Sequence, residues 1–266
     1  IKEYLINRGF LNVKTVARAH GDGDLYLDYR THISLINKYI DKVFVISKMG
    51  ASYLINSKIS SQIVEINRLG VEIKPLNNFK VASTYIIVSC SVLNDNKRVN
   101  RIISCLSLLS NEKITWVHFG DGVLMRQLQE LCKNKLPANI KWELRGSIPN
   151  EQIIKFYHDN QPSLFINVSS IEGIPVSIME AMSCGIPVVA TDVGATNEIV
   201  ENNINGYLLN KNFEDVELAN IIKLNYHKKD KYDSMSINAY NKCNKYFNAK
   251  INYSDFVKIC SGMFVN

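Results

Sequence analysis

No Cys-x-x-Cys pair occurs in the sequence, and its six cysteines, Cys90, Cys105, Cys132, Cys184, Cys243 and Cys260, stand far apart with no histidine run beside them. That spacing excludes a zinc module and a disulfide-stapled scaffold. Apolar runs are short as well. The stretch from Ile102 to Leu109 is bounded by Arg101 on one side and polar residues on the other, well below the roughly 20 apolar residues of a membrane-spanning helix. An integral membrane protein is therefore not expected. Basic residues are interleaved with acids and form no arginine-rich stripe, so nucleic acid is not an expected partner. A Gly-x-Ser-x-Gly elbow, a P-loop and a His-Glu-x-x-His pair are all missing, which leaves hydrolase, nucleotide triphosphatase and metalloprotease readings without an anchor. The amino end, Ile1-Lys2-Glu3-Tyr4, has neither an initiator Met nor a charged-then-apolar leader and reads as an interior segment of something longer.

What is present is ordinary globular composition: 266 residues, 46% apolar, 21% charged, with a net charge of +6. A chain of this size buries roughly 70–75% of its unfolded surface, so a real core is available. The basic excess suits phosphate-bearing ligands or an anionic membrane surface.

From Thr84 onward a pattern repeats: a short β-branched run, a Gly, Asn, Asp or Pro, then an amphipathic stretch. The runs cover residues 85–88, 114–117, 141–144, 164–168 and 187–190, several without polar alternation, as strands buried on both faces of a parallel sheet require. Val99, Ile102, Ile103, Leu106 and Leu109 carry the spacing of one helix face laid on such a sheet. Right-handed crossovers then predict an α/β, doubly wound, Rossmann-like layer structure. Upstream, strand candidates fall at 15–18, 42–47 and 63–66, with helices near 31–41 and 48–57, about half of another such unit. Pro75-Leu76-Asn77-Asn78 reads as the join. Residues 214–229 and 231–263 read as helical, polar stretches. The expected organisation is a partial amino-terminal unit over 1–78, a complete unit over 79–225, and helices over 226–266 that cap the sheet or cross back.

The informative segment runs from Glu172 to Pro187. Pro175 is tolerated at a helix start and forces Ile174 into an extended conformation, while Gly185 stops the helix. Glu172 then lies in the loop ahead of the helix and Glu180 on it. The helix start leaves the N–H groups of Val176 and Ser177 without intrahelical acceptors, beside the positive pole of the macrodipole, so an anion such as phosphate is favoured there. Eight residues of helical rise would separate the carboxylates by about 12 Å, comparable to the span from sugar to ribose in a nucleoside-diphosphate sugar. Spacing alone favours a second reading, in which both glutamates are solvated helix-end acids stabilising the dipole.

Residues 172–200 resemble the signature region of glycosyltransferase family four: Glu172, seven intervening residues and Glu180, then Ala181-Met182, Gly185-Ile186-Pro187-Val188, and a Gly-containing loop ending in a third acid, Glu198. Gly120-Asp121-Gly122, Gly146 and Lys97 extend the likeness backward, so that about residues 84–210 resemble a donor-binding domain. The resemblance implies the GT-B fold of two facing Rossmann-like domains. It further implies a sugar transferred with retention from a nucleotide-diphosphate sugar to an acceptor hydroxyl, without a metal or other cofactor, in bacterial surface-polysaccharide assembly. The acceptor would be a saccharide or lipid-linked saccharide, and the location cytoplasmic, with peripheral membrane association allowed.

By the same resemblance Glu180 would hold the ribose hydroxyls, Glu172 the transferred sugar, and Lys97 the diphosphate. Gly173, Ile174, Val176 and Ser177 would present the loop backbone to phosphate and sugar. Gly120 and Gly122 would join the donor site, and Gly146, Ser147 and Ile148 would border the base. His20, at a strand end before Gly21, would be the catalytic-face histidine across the cleft. Asp22-Gly23-Asp24 has the form of a metal motif, but Gly-Asp-Gly-Asp is turn chemistry and no metal is expected. One departure stands out: where the family usually carries an Arg five residues before the Lys, this chain has Val92, with Arg98 as the nearest candidate substitute. Alternatives are a non-catalytic nucleotide-binding remnant and a GT-B sugar-nucleotide epimerase.

Overall fold

The structure is a computed structural model, and it describes Lys2, Arg8 and residues 13–19, 32–75, 84–227 and 229–264. Two parallel sheets organise it. The first contains β1 (Val16–Ala19), β2 (Lys42–Val45) and β3 (Val64–Ile66), in the order β1-β2-β3, with α1 (Ile33–Tyr39) and α2 (Lys48–Asn56) in the connections. The second contains β4 (Tyr85–Cys90), β5 (Ile114–Phe119), β6 (Ile140–Leu144), β7 (Leu164–Asn167), β8 (Val188–Thr191) and β9 (Gly206–Leu209). Its strand order is β6-β5-β4-β7-β8-β9. Order therefore reverses between β4 and β7, and a crevice opens beyond the carboxyl ends of those two strands.

Successive residues along the strands explain why the apolar runs do not alternate. Ile87, Trp116, Leu164, Ile166 and Val189 enter one core, while Val88, Val117, Phe165, Val188 and Ala190 enter the other. The first core is covered by α3 (Val99–Leu106), α4 (Met125–Lys135) and α7 (Asp215–His227). The second is covered by α5 (Asn150–Asn160), α6 (Val176–Ser183) and α8 (Lys229–Tyr246). Val99, Ile102, Ile103 and Leu106 are all buried on the sheet, at the helical spacing their sequence gives them.

Two features depart from the sequence expectation. Strand β9 was not anticipated, because Gly-Tyr-Leu-Leu is too short and too poor in β-branched residues to signal a strand. Gly206 permits it: a Cβ there would sit 2.1 Å from the Val188 carbonyl oxygen, so only glycine lets the chain approach β8. The stretch 231–263 is also not one helix. It breaks after Tyr246, and Asn248 caps a new helix, α9 (Ala249–Gly262), by accepting from the N–H groups of Lys250 and Ile251.

The break turns α9 back onto the first sheet. Phe256 meets Phe44 of β2 edge-on, with ring centroids 4.7 Å apart. Asn67 donates to the Asn252 carbonyl, and Asn252 donates to the Leu69 carbonyl. Val71 exchanges backbone hydrogen bonds with Phe247 and Ala249. Of the expected join, Pro75 is described, whereas Leu76, Asn77 and Asn78 lie outside the described residues.

Candidate functional site

The crevice between the ends of β4 and β7 collects the chemistry. After β4 the chain forms a 3-10 turn, Asp95–Lys97, capped by Asn94, whose side chain accepts from the Lys97 N–H. After β7 it forms the loop 168–175, which leads into α6. Asn96 joins the two: its carbonyl accepts from Ser170 N–H, its Oδ1 from the Ser170 hydroxyl, and its amide donates to the Ile171 carbonyl. This clamp brings Lys97 against Glu172, and Lys97 Nζ donates to Glu172 Oε1 at 2.6 Å. The amide of Asn167, at the end of β7, donates to the same oxygen at 3.1 Å.

Helix α6 starts at Val176, with Pro175 as its N-cap residue and no side chain capping it. No side chain occupies its amino pole as a cap, and Val176, its first residue, is 43% exposed. Gly173 is half-buried and its carbonyl accepts from Ala195 N–H, whereas Ile174 is buried in the core behind the helix, so only its backbone faces the loop side. Because the helix begins four residues after Glu172, helical rise applies only to the second half of the interval between the glutamates. The loop sets the rest. A neighbouring loop supports it from below: a Cβ on Gly194, whose φ is +57°, would lie 1.7 Å from the Glu172 carbonyl oxygen.

Glu180 lies one helical turn further along α6, half-buried, and its Oε1 accepts from Asn150 Nδ2 at 2.8 Å. Burial pushes its carboxyl above the ordinary range, and the Asn150 amide pulls it partway back. Asn150 begins α5, directly after the loop containing Gly146, Ser147 and Ile148. Ile148 packs against the core at the edge of this region. Gly120 and Gly122 lie after β5. Their N–H groups are already engaged, by the Gly146 carbonyl and the Asp121 carboxylate respectively. What they supply is room: a Cβ on Gly120, at φ +131°, would fall 1.9 Å from the Ser91 carbonyl oxygen, and one on Gly122 would fall 2.4 Å from that of Leu93.

Beneath the loop after β4 lies a polar chain that the sequence did not signal. His118 is fully buried and faces the Ser91 carbonyl through Nε2 at 3.1 Å and the Ser89 hydroxyl through Nδ1 at 2.9 Å. A carbonyl can only accept, so Nε2 carries the proton and Nδ1 accepts from Ser89, whose oxygen in turn receives Trp116 Nε1 at 3.0 Å. Burial pushes the histidine pKa down to about 4 despite the bond to Ser91. This neutral network holds up the segment that Gly120 packs against.

The family model for glycosyl transferases group 1 matches residues 73–242, more than half of the chain. The chain belongs to this family. Among the proteins it resembles is the GtfA subunit of a UDP-N-acetylglucosamine–peptide N-acetylglucosaminyltransferase from Streptococcus agalactiae. It is 30% identical over 133 residues, 48% of this chain and 25% of that protein. The amylovoran biosynthesis glycosyltransferase AmsK of Erwinia amylovora is 27% identical over 175 residues, 61% of this chain and 42% of that protein. The matched segments thus span about a quarter to two fifths of these relatives' length. A glycosyltransferase from Rickettsia africae ESF-5 superposes with a TM-score of 0.83 at 20% identity, covering 99% of this chain and 74% of that one. HepE of Anabaena, solved in complex with UDP-glucose, gives 0.74 at 21% identity, covering 94% and 72%. The fold is GT-B.

Within this group 1 chain the described residues bring Lys97, Glu172, the α6 pole and Glu180 to the carboxyl ends of the central strands of the second sheet. Arg98, the nearest candidate for the cation absent at Val92, donates through its guanidinium to the carbonyls of Val168, Lys211 and Ser169 and lies against Phe213, so three of its five N–H donors hold the loop after β7. His20, Asp22 and Asp24 lie outside the described residues. Among the described residues no group of three or more His, Cys, Asp or Glu side chains is arranged to hold a metal, and no helix is long and apolar enough to cross a membrane. A cavity of about 760 Å³ lies at the amino ends of the strands of the second sheet, lined by Tyr85, Lys113, Tyr226 and Tyr232 among others, at the end opposite this chemistry.

Proposed function

We propose that the chain carries the donor site of a retaining, metal-independent glycosyltransferase that takes a nucleoside-diphosphate sugar, and that it works at the cytoplasmic face in assembling bacterial surface polysaccharide. The reading is carried by the meeting of Lys97 and Glu172 ahead of the uncapped amino pole of α6, with Glu180 on that helix. In this reading the pole and Lys97 hold the diphosphate and stabilise the charge that develops as it leaves. Glu172 accepts from hydroxyls of the transferred sugar, Glu180 accepts from the ribose, and the loop 146–148 borders the base. The acceptor hydroxyl, on a saccharide or lipid-linked saccharide, enters on the face the diphosphate leaves. No nucleophile of this chain is assigned to a covalent intermediate. Support for the polysaccharide context comes from relatives named for amylovoran and colanic acid biosynthesis.

Titration calorimetry with uridine and guanosine diphosphates tests the binding half. Glu180→Ala removes a charge-assisted acceptor contributing about 1.5–3 kcal/mol, so affinity falls roughly 10- to 150-fold. Undiminished affinity removes the ribose assignment. A second reading, a nucleotide-binding remnant without turnover, is favoured by exposed Val92 and by the engagement of Arg98 elsewhere. Transfer from a nucleotide sugar by the protein excludes it.

A further inference from the structure

Glu198, the third acid of the signature segment, has both carboxylate oxygens engaged away from the donor loop. The residue ends a 3-10 turn, Thr196–Glu198, that follows β8 on the second sheet, yet both of its carboxylate oxygens are bound to the first. Oε2 pairs with the guanidinium of Arg68, just beyond β3. Oε1 accepts from the backbone N–H of Met49, in the first turn of α2, at 3.1 Å. That helix has no acid of its own in its first turn, and Ser47 caps only the Gly50 N–H. Glu198 supplies from the other sheet the anion that the helix pole favours. Its side chain is only 10% exposed, which shields the contact from solvent.

The same turn is tied to the donor loop. Ala195 N–H donates to the Gly173 carbonyl, and Gly194 lets the backbone of Glu172 settle on the turn. Three residues therefore separate a contact to the donor loop from a contact to the first sheet. Residues 67–71 also bond to 247–252 of the carboxyl-terminal helices, and Ile46, just beyond β2, packs in the core of the second sheet, but neither of these contacts touches the donor loop.

We infer that Glu198 is a positioning residue: with Arg68 and the α2 pole it sets the first sheet against the loop that carries Glu172, and so fixes the width of the cleft in which transfer occurs. The inference rests on the donor-site reading for its consequence in transfer, but the domain placement itself is measured without it. Donor binding draws on the second sheet, whereas reaction needs both walls of the cleft.

The experiment compares wild type with Glu198→Gln and Arg68→Met. The arginine variant alters no strand of the second sheet and no donor-site residue, and its Met side chain keeps the apolar contact with Phe247. Three quantities are read: hydrogen exchange at the Met49 amide, the radius of gyration by small-angle scattering, and uridine diphosphate affinity beside the rate of uridine diphosphate release from UDP-glucose. Both variants are expected to expand the particle. Glu198→Gln speeds Met49 exchange at least tenfold, and both variants keep nucleotide affinity within about twofold while lowering the release rate tenfold or more. Glu198→Asp, which keeps the charge, recovers part of each loss. Unchanged scattering and exchange in both variants would overturn the inference, as would nucleotide affinity falling in step with rate in Arg68→Met. Failure of wild type to bind either uridine or guanosine diphosphate would count against the donor-site reading alone, because the scattering and exchange results stand apart from it.

Discussion

Glu172 and Lys97 have opposite charges and, in the proposed reading, different parts of one ligand to hold, yet without the donor they hold each other. The diphosphate must therefore compete with a carboxylate for the ammonium group. Replacing Glu172 by Gln removes that competitor without removing bulk. Exposed ion pairs contribute about 0.2–1 kcal/mol, and this one is better sheltered, with side chains 21% and 10% exposed. Loss of the carboxylate's repulsion toward the diphosphate acts in the same direction. The combined gain is about 1–2 kcal/mol, so uridine or guanosine diphosphate should bind Glu172→Gln roughly 5- to 30-fold more tightly than wild type. Lys97→Met should bind it more weakly. Turnover of the nucleotide sugar should nevertheless fall roughly 10- to 150-fold in Glu172→Gln, because a charge-assisted bond to the sugar is lost. Titration calorimetry on the three proteins, with thermal unfolding as a control for folding, reads the sign directly. Equal or weaker nucleotide binding by Glu172→Gln, while Lys97→Met still loses affinity, refutes the competition.

Nucleotide affinity should also depend on the charge of Glu180. Its raised pKa means that affinity declines on acidification sooner than for an exposed carboxylate, and Asn150→Ala, by removing a donor to the carboxylate, moves that decline to higher pH. Titrations between about pH 5 and pH 8 should show the displacement, and coincident profiles contradict it. His118 makes the fold acid-sensitive. Its pKa is about 4 folded against 6.5 for a free imidazole, so between those values the unfolded chain takes up a proton that the native one refuses. Stability is lost as pH falls, by about 2 kcal/mol from pH 7 to pH 5. Denaturant unfolding of His118→Gln should show a shallower dependence, and an equal one rejects the assignment. Gly194→Ala places a Cβ 1.7 Å from the Glu172 carbonyl oxygen at φ +57°. It should cost about 1–3 kcal/mol of stability and weaken nucleotide binding. A variant as stable as wild type would mean that the two loops are not in fixed contact.

The second sheet was legible because strands buried on both faces leave continuous apolar runs, and the helices between them leave a 3.6-residue period. Both are local properties of the chain. The helix from Val176 to Ser183 was legible for the same kind of reason, since Pro175 and Gly185 punctuate it. Strand β9 was not, because what makes Gly206-Tyr207-Leu208-Leu209 a strand is the close approach of β8, not its own propensity. Nor was the break at Asn248, where the return of α9 to Phe44 overrides a helical composition.

By itself, then, the sequence determined the strand and helix periods, the helix pole and the placing of two acids about it, since each depends on residues near one another in the chain. Partners were decided only in three dimensions. That Lys97 faces Glu172, that Arg98 is committed to carbonyls, that Asn150 holds Glu180, and that Glu198 reaches Arg68 and Met49 all follow from which loops the sheet order brings together. A side chain's charge is written in the sequence, but the group that meets it is chosen by the crossing of strands far apart along the chain.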